Sequence, residues 1–452
     1  MKFNLERGYL STLMQLAVPI AIQNGVNALL TMLDNLMIGQ LGETSVASAA
    51  LANQVAFLLT FFMYGVTSGA AIFTAQYWGQ RDIASIRKVL GICLSLCLTV
   101  ALGFTLLAEL APGAVLSLYT QDQSVIALGA QYLQFAGASY LLSAVSFSFS
   151  SVLKGMGRVK IPMLVSMIAL SLKAFFSYSL IFGQFGLPAM GVLGGAIGTL
   201  VARIVEFILM LSIIYLRKLP IAALPKDLFS FKRAYTLAYL KVAMPVVINE
   251  MLWATGFSIY SSIYAHISTQ AIAAINIATA LDALAFVLLI ANSDAMGIQI
   301  GNRIGAEEYA DARKLARRSL IQATLLGLMV GALLIASSFF FPGLYQVDPQ
   351  VRTDAQAVMI IMGLLFWVRG SNLTLVVGIM RSGGDTRFSA VIDVATVWLV
   401  GIPLALLGST FFQLPVWAVY LLVMCDEVSK YLLGLRRFLS GRWMHNLTAI
   451  KA

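Results

Sequence analysis

Charged side chains stand deep inside apolar runs of this sequence, among them Asp34, Lys173, Glu250, Asp282, Arg369 and Asp393. In hydrocarbon such a charge costs on the order of 3 kcal/mol, so each needs a reason to be there. A carboxylate in a water-poor cavity can take up and release a proton near neutral pH, or hold a cation. Several carboxylates facing one cavity would draw in an organic cation, and Trp253 or Trp398 would add a cation–π contact. The plainer alternatives are a static ion pair for the charges and ordinary packing for the tryptophans. Arg203 with Glu206, and Lys430 with Asp426 or Glu427, have the spacing that pairs charges along one helix, and these read as structural.

Other chemistry is poorly served. The chain has 2 histidines, His266 and His445, and 3 cysteines, Cys93, Cys97 and Cys425, all three in apolar runs. They form no disulfide framework, and no metal spacing beyond the one i,i+4 pair of Cys93 and Cys97. His-Glu-x-x-His, a nucleophile elbow and the Gly-x-Gly-Asp of intramembrane aspartyl proteases are all missing. Gly155-x-Gly157 and Gly383-Gly384 lack the Lys-Ser/Thr that follows a phosphate-binding loop. No enzyme activity, metal or cofactor is expected.

The elements that must position these residues follow from composition. Of 452 residues, 60% are hydrophobic and 11% charged, with a mean hydropathy of +0.87. A soluble domain typically carries about a quarter charged residues. An all-α integral membrane protein is the reading that needs no polar exterior. Twelve runs are long enough to span, at about 20 residues each: 10–38, 48–76, 89–111, 124–152, 161–184, 189–216, 238–266, 275–300, 316–341, 354–380, 388–411 and 414–436. The polar stretch Met1 to Tyr9 precedes the first, which contains Gln23, Asn24, Asn27 and Asp34 and reads as a retained, cavity-lining helix rather than a signal peptide.

The net charge of +10 does not indicate nucleic-acid binding, because the basic residues cluster in alternate loops. Examples are Arg81, Arg87 and Lys88; Lys154, Arg158 and Lys160; Lys226, Lys232 and Arg233; and Arg381 with Arg387. The remaining loops hold only Arg352. The positive-inside rule then puts both termini in the cytoplasm, in a cell membrane.

The two halves repeat each other. Ala17-Val18-Pro19-Ile20 corresponds to Ala243-Met244-Pro245-Val246 at an offset of 226 (245 − 19), and Arg87-Lys88 falls on Arg313-Lys314. At an offset of 227, Lys154, Gly157 and Lys160 fall on Arg381, Gly384 and Arg387. The expected organisation is an N-terminal six-helix lobe over 1–218, a cytoplasmic linker over 219–236, a C-terminal six-helix lobe over 237–440 and a cytoplasmic tail over 441–452. Six helices per half make the repeats parallel, an arrangement suited to alternating access around a central site.

Several motifs in this order resemble the multidrug and toxic compound extrusion (MATE) family. They are the Pro19 helix with Leu33-Asp34-Asn35-Leu36-Met37-Ile38-Gly39, then Ala75-Gln76-Tyr77-Trp78-Gly79-Gln80, and then Gly155-Met156-Gly157-Arg158. Leu180-Ile181-Phe182-Gly183 and Ile300-Gly301-Asn302-Arg303-Ile304-Gly305 continue the likeness over nearly the whole chain. The resemblance implies two six-helix bundles around a central V-shaped cleft. It also implies export of amphipathic, often cationic compounds in exchange for Na⁺ or H⁺.

By that resemblance Asp34 matches the family's coupling carboxylate in the first lobe, and Glu250 matches a helix 7 glutamate used for cation or substrate binding. Where the family has two asparagines at i,i+4, this chain has Lys173 and Ser177. An ammonium has donors only and cannot ligate Na⁺. Lys173 is therefore expected to pair with Asp34 and to occupy the cation position itself. The family often places its other acid on helix 10, which here offers only Arg369 and Asn372. The expected coupling set is Asp34, Lys173, Ser177 and Glu250. The expected substrate-binding set is Asp282, Asp393, Trp253, Trp398, Asn53 and Gln54.

The partners expected are small amphipathic or cationic molecules and membrane lipids, with no nucleic acid, for a monomer. An alternative is a flippase for lipid-linked sugars or lipids from a related exporter superfamily, whose cavity should be dominated by cations. The intramembrane acids outnumber Lys173 and Arg369 and argue for a cationic cargo instead. A membrane-embedded carboxylate enzyme is the remaining alternative, and it leaves the duplication without a purpose.

Overall fold

The computed structural model describes residues 8–449. The first seven residues of the expected polar N-terminal stretch, and residues 450–452 of the expected tail, lie outside the described residues. Among the described residues the chain is helical with no strand. Nine of the spanning segments are single α-helices: α1 Tyr9–Gly39, α2 Glu43–Gln80, α3 Ile83–Leu110, α5 Lys160–Phe182, α6 Val192–Leu216, α7 Arg233–Ile267, α8 Thr269–Gly305 and α9 Tyr309–Ser338, with α10 spanning Pro349–Arg381 and turning π-helical over Thr374–Arg381. The helix α11, Thr386–Phe411, is interrupted by two π-helical stretches, and α4 is a pair, Gln123–Gly137 and Tyr140–Gly155, bent by 44°.

The twelfth expected segment differs. It breaks at Met424 into Val416–Val423 and Cys425–Leu439, together called α12 here. Neither piece alone is both long and apolar enough to span, because the second opens on Asp426, Glu427 and Lys430. The apolar spans among the described residues thus number 10, or 11 with the bent pair.

The duplication extends to helix caps. Asp122 accepts from the Ser124 N–H at the start of α4, and Asp348 accepts from the Gln350 N–H at the start of α10. These two aspartates are 226 apart (348 − 122). Each cap satisfies a backbone donor that the first helical turn cannot.

The chain packs as two compact units that do not coincide with the sequence halves. One comprises Ile22–Val247; the other comprises the residues up to Ala21 together with Ile248–Ala449. The two divisions are themselves 226 apart (247 − 21), each two residues after a proline, Pro19 or Pro245. A proline inside a helix removes one hydrogen bond and crowds the preceding turn, so each of these helices has a built-in weak point there.

The first turns of α1 and α7 are anchored through equivalent positions. Leu13, Leu16 and Ile20 are buried within the unit of Ile248–Ala449, while Tyr239, Val242 and Val246, each 226 further on, are buried within the unit of Ile22–Val247. Tyr9 donates to Gln322 at 2.6 Å, and its counterpart Tyr235 joins an aromatic cluster with Phe73 and Tyr77. Tyr239 Oη donates to the Val66 carbonyl at 2.5 Å, and a Cβ on Gly65 would collide with Val247, so α2 and α7 approach backbone to backbone.

The expected linker 219–236 is not a free tether. Arg87 Nε donates to the Pro220 carbonyl at 2.9 Å, and Tyr215 Oη donates to that of Ala223 at 2.9 Å. Ile221 and Leu228 are buried, a short helix forms over Pro225–Leu228, and the last residues of the stretch are the first turn of α7. The tail after α12 is docked as well. Trp443 is fully buried and stacks on Phe438, His445 N–H donates to the Gly383 carbonyl at 2.7 Å, and Arg437 Nε donates to Asp385 at 2.7 Å. Gly383 leaves the space Trp443 fills, for a Cβ there would meet its backbone and ring.

Candidate functional site

In the unit of Ile22–Val247, Asp34 and Lys173 form an ion pair between α1 and α5. Both are mostly covered, with side-chain exposures of 16% and 21%. The pair answers the demand that each intramembrane charge find a partner. Tyr132 of α4 lies within electrostatic reach of Asp34, and its hydroxyl donates to Asn53 Oδ1 of α2 at 3.4 Å. Gln23 Nε2 donates to Ser166 Oγ at 2.8 Å, a second polar tie from α1 to α5. Asp34, Lys173 and Asn53 therefore share one neighbourhood.

Ser177 is placed differently from Lys173. It is fully buried against Gly198 of α6, and its Oγ has no hydrogen-bond partner among the described residues. Gly194 and Gly198, four residues apart, leave no room for side chains and let α6 close onto α5. Gln54 is exposed on α2. Arg203 and Glu206 pair along α6 at 2.6 Å, and Arg203 lies over the Phe147 ring at 5.8 Å.

The other unit holds a larger polar network. Glu250 of α7 accepts from Arg381 Nη1 at 2.8 Å, and Arg381 is only 4% exposed. Asp282 of α8 takes both arms of Arg369 of α10, at 2.5 and 3.1 Å, in the fork geometry that suits guanidinium and carboxylate. That guanidinium also faces the Phe286 and Phe366 rings at 5.1 and 5.7 Å. Asp393 of α11 accepts from Asn249 Nδ2 at 3.0 Å and pairs with Lys430 of α12 at 2.7 Å. Lys430 reaches Glu427 at 3.4 Å, and Asn372 Nδ2 donates to Glu427 at 2.7 Å. Tyr260 Oη donates to Asp426 at 3.1 Å.

Two expectations change here. Arg381, read from the sequence as a loop cation, is an interior residue, because the π-helical end of α10 carries it inward to Glu250. Lys430 does not serve only its own helix; it crosses to Asp393, leaving Asp426 to Tyr260. The count of acids against cations therefore changes too. Asp34, Glu250, Asp282 and Asp393 each have a cation of their own in Lys173, Arg381, Arg369 and Lys430. The surplus acid lies on α12.

The tryptophans have partners of other kinds. Trp398 Nε1 donates to the Leu252 carbonyl at 3.3 Å and packs on the bundle core. Trp253 stacks on Phe257 with ring centroids 5.6 Å apart and is 38% exposed. Asn249, Tyr260 and Arg381 were absent from the expected site. Only Arg381 carried a sequence signal, its alignment with Lys154 in the repeat.

A family model described as MatE matches residues 19–179 and again 245–407, each match beginning at one of the paired prolines. A probable multidrug resistance protein NorM of Thermotoga maritima is 24% identical over 456 residues, spanning 98% of this chain and 97% of the relative. Its namesake in Agrobacterium fabrum is 28% identical, spanning 82% and 81%. A variant of the Vibrio cholerae MATE transporter VcmN superposes with a TM-score of 0.88 at 16% identity, covering 97% of this chain and 98% of that one, a likeness of fold.

Proposed function

The chain belongs to the MatE family, and on that premise we propose that it is a proton-driven exporter of small amphipathic cations. It is a multi-pass membrane transporter and not an enzyme. The observation that carries the proton reading is the Asp34–Lys173 ion pair. An ammonium group stands beside the carboxylate that would otherwise hold a metal cation, and it brings donors only. Sodium therefore lacks the ring of oxygen ligands it needs at this place. A proton does not, because it can bind Asp34 directly.

Protonation of Asp34 removes the charge that holds Lys173. The ammonium is then left in a cavity of low dielectric, where an unpaired charge is costly. The helices α1 and α5 are free to separate, and the site to change its access. Return of the proton to water restores the pair. Alternation between the two states exchanges protons for cargo across a cell membrane, with both termini cytoplasmic as the basic loops suggest. The cationic preference of the cargo is supported by the unit of Ile248–Ala449, where Glu250, Asp282, Asp393 and Glu427 share only Arg381, Arg369 and Lys430 as ion-pair partners among the described residues. The two NorM relatives are named probable multidrug resistance proteins, which fits small-molecule cargo.

The test is ethidium efflux from proteoliposomes with a pH gradient and a Na⁺ gradient imposed separately. Efflux is expected with the pH gradient alone, to be lost in Asp34→Asn, and to shift in pH dependence in Lys173→Ala. Efflux that requires Na⁺ and survives Asp34→Asn would overturn the reading.

A further inference from the structure

Within the unit of Ile248–Ala449, five interior carboxylates (Glu250, Asp282, Asp393, Asp426 and Glu427) are gathered with three cations (Arg369, Arg381 and Lys430). Arg369 is taken by Asp282, Arg381 by Glu250, and Lys430 by Asp393 and Glu427. Asp426 has no ion pair among the described residues and is only 4% exposed. Its Oδ2 meets the Tyr260 hydroxyl, and its Oδ1 is buried without a hydrogen-bond partner. A carboxylate in that position would leave a charged oxygen unsatisfied in an apolar bundle, at a cost of several kcal/mol. A neutral acid with its proton on Oδ2 donates to the Tyr260 oxygen instead of accepting from it, and leaves one carbonyl oxygen unpaired, which proteins tolerate far more readily.

We propose that Asp426 is a second proton-binding site, holding its proton in the state described and releasing it during the transport cycle. The proposal rests on the proton-driven reading of the chain and assigns the second lobe a proton of its own. The groups facing Asp426 are Tyr260 and Tyr264 of α7, Tyr420, Glu427 and Lys430 of α12, and beyond them Asp282 and Arg369. Only Lys430 is a cation free to move toward Asp426, since Arg369 is fixed by its bidentate pair. A π-helical stretch of α11, Val397–Gly401, ends where Gly401 lies against the Tyr260 hydroxyl and Asp426. Such a bulge is more often met at functional sites than in plain packing.

The consequence of release follows from spacing. Asp426 and Lys430 are four residues apart and share one face of α12. Once the Asp426 O–H bond breaks and its proton leaves to water, the carboxylate competes for Lys430 with Asp393. Asp393 then keeps its hydrogen bond from Asn249, the residue next to Glu250 and two positions past the division at Val247, and the more distant charge of Arg381. Proton loss on α12 thus loosens the anchoring of α7 where that helix enters this unit.

The experiment is infrared difference spectroscopy of the purified protein between acid and alkaline pH, with ethidium transport in parallel. Asp426→Asn is expected to lose a protonated-carboxyl band present in the unmodified protein, and to lose pH-driven efflux while keeping ethidium exchange at equilibrium. Identical carboxyl bands in the two proteins would overturn the proposal. Should Asp426→Asn not fold, Tyr260→Phe is expected to shift the same band, and an unshifted band would overturn it equally. If the unmodified protein moves no ethidium under a pH gradient, the transport reading fails, while the band still tests Asp426.

Discussion

At Glu250 and Arg381, removing one partner and removing both are different perturbations. Arg381→Gln leaves Glu250 charged and uncompensated beside a residue only 4% exposed. Breaking a buried pair in this way costs about 3–5 kcal/mol, whereas neutralising both members is often close to neutral. Arg381→Gln is therefore expected to lower thermal stability strongly, and Glu250→Gln/Arg381→Gln to recover most of the loss, as a double-mutant cycle would measure. The acids themselves were legible in the sequence, because charge within an apolar run is conspicuous. Their partners were less so. Arg381 stands at a helix end, where hydropathy reads a loop, and Lys430 reaches Asp393 across the bundle as well as Glu427 on its own helix. Asp34 and Lys173 could be matched in advance only through the family resemblance, in which Lys173 stands where an asparagine would help enclose the cation beside Asp34.

At the scale of the elements, length and apolarity identified the helices, and the departures arise where polar groups are met by tertiary contacts. The break of α12 at Met424 coincides with Asp426, Glu427 and Lys430, whose partners lie on other helices. The docked tail was likewise invisible to hydropathy, since a single Trp443 makes no apolar run. Trp443→Ala removes a fully buried indole from beneath the turn between α10 and α11. A loss of about 3–5 kcal/mol in local stability is expected. Faster trypsin cleavage at Arg387, with little change in ethidium binding, is the measurement that checks it.

For the whole molecule the repeat was readable and its packing was not. Sequence comparison sets residue against residue, but it does not say that the opening turns of α1 and α7 each lodge in the unit built mainly from the other half. A chain cut between residues 229 and 232 leaves each fragment without one of these turns. The fragments are expected to be degraded when made singly and to restore efflux when made together, as immunoblotting and dye transport would show. The same arrangement bears on how the protein is made. Domains generally fold in the order of synthesis, yet here the turns from Tyr9 to Ala21 are translated before the rest of the Ile22–Val247 unit and belong with helices translated after it. That part of α1 must wait, half-partnered in the bilayer, until the helices of the unit of Ile248–Ala449 follow it, so a pause or truncation before they emerge strands it.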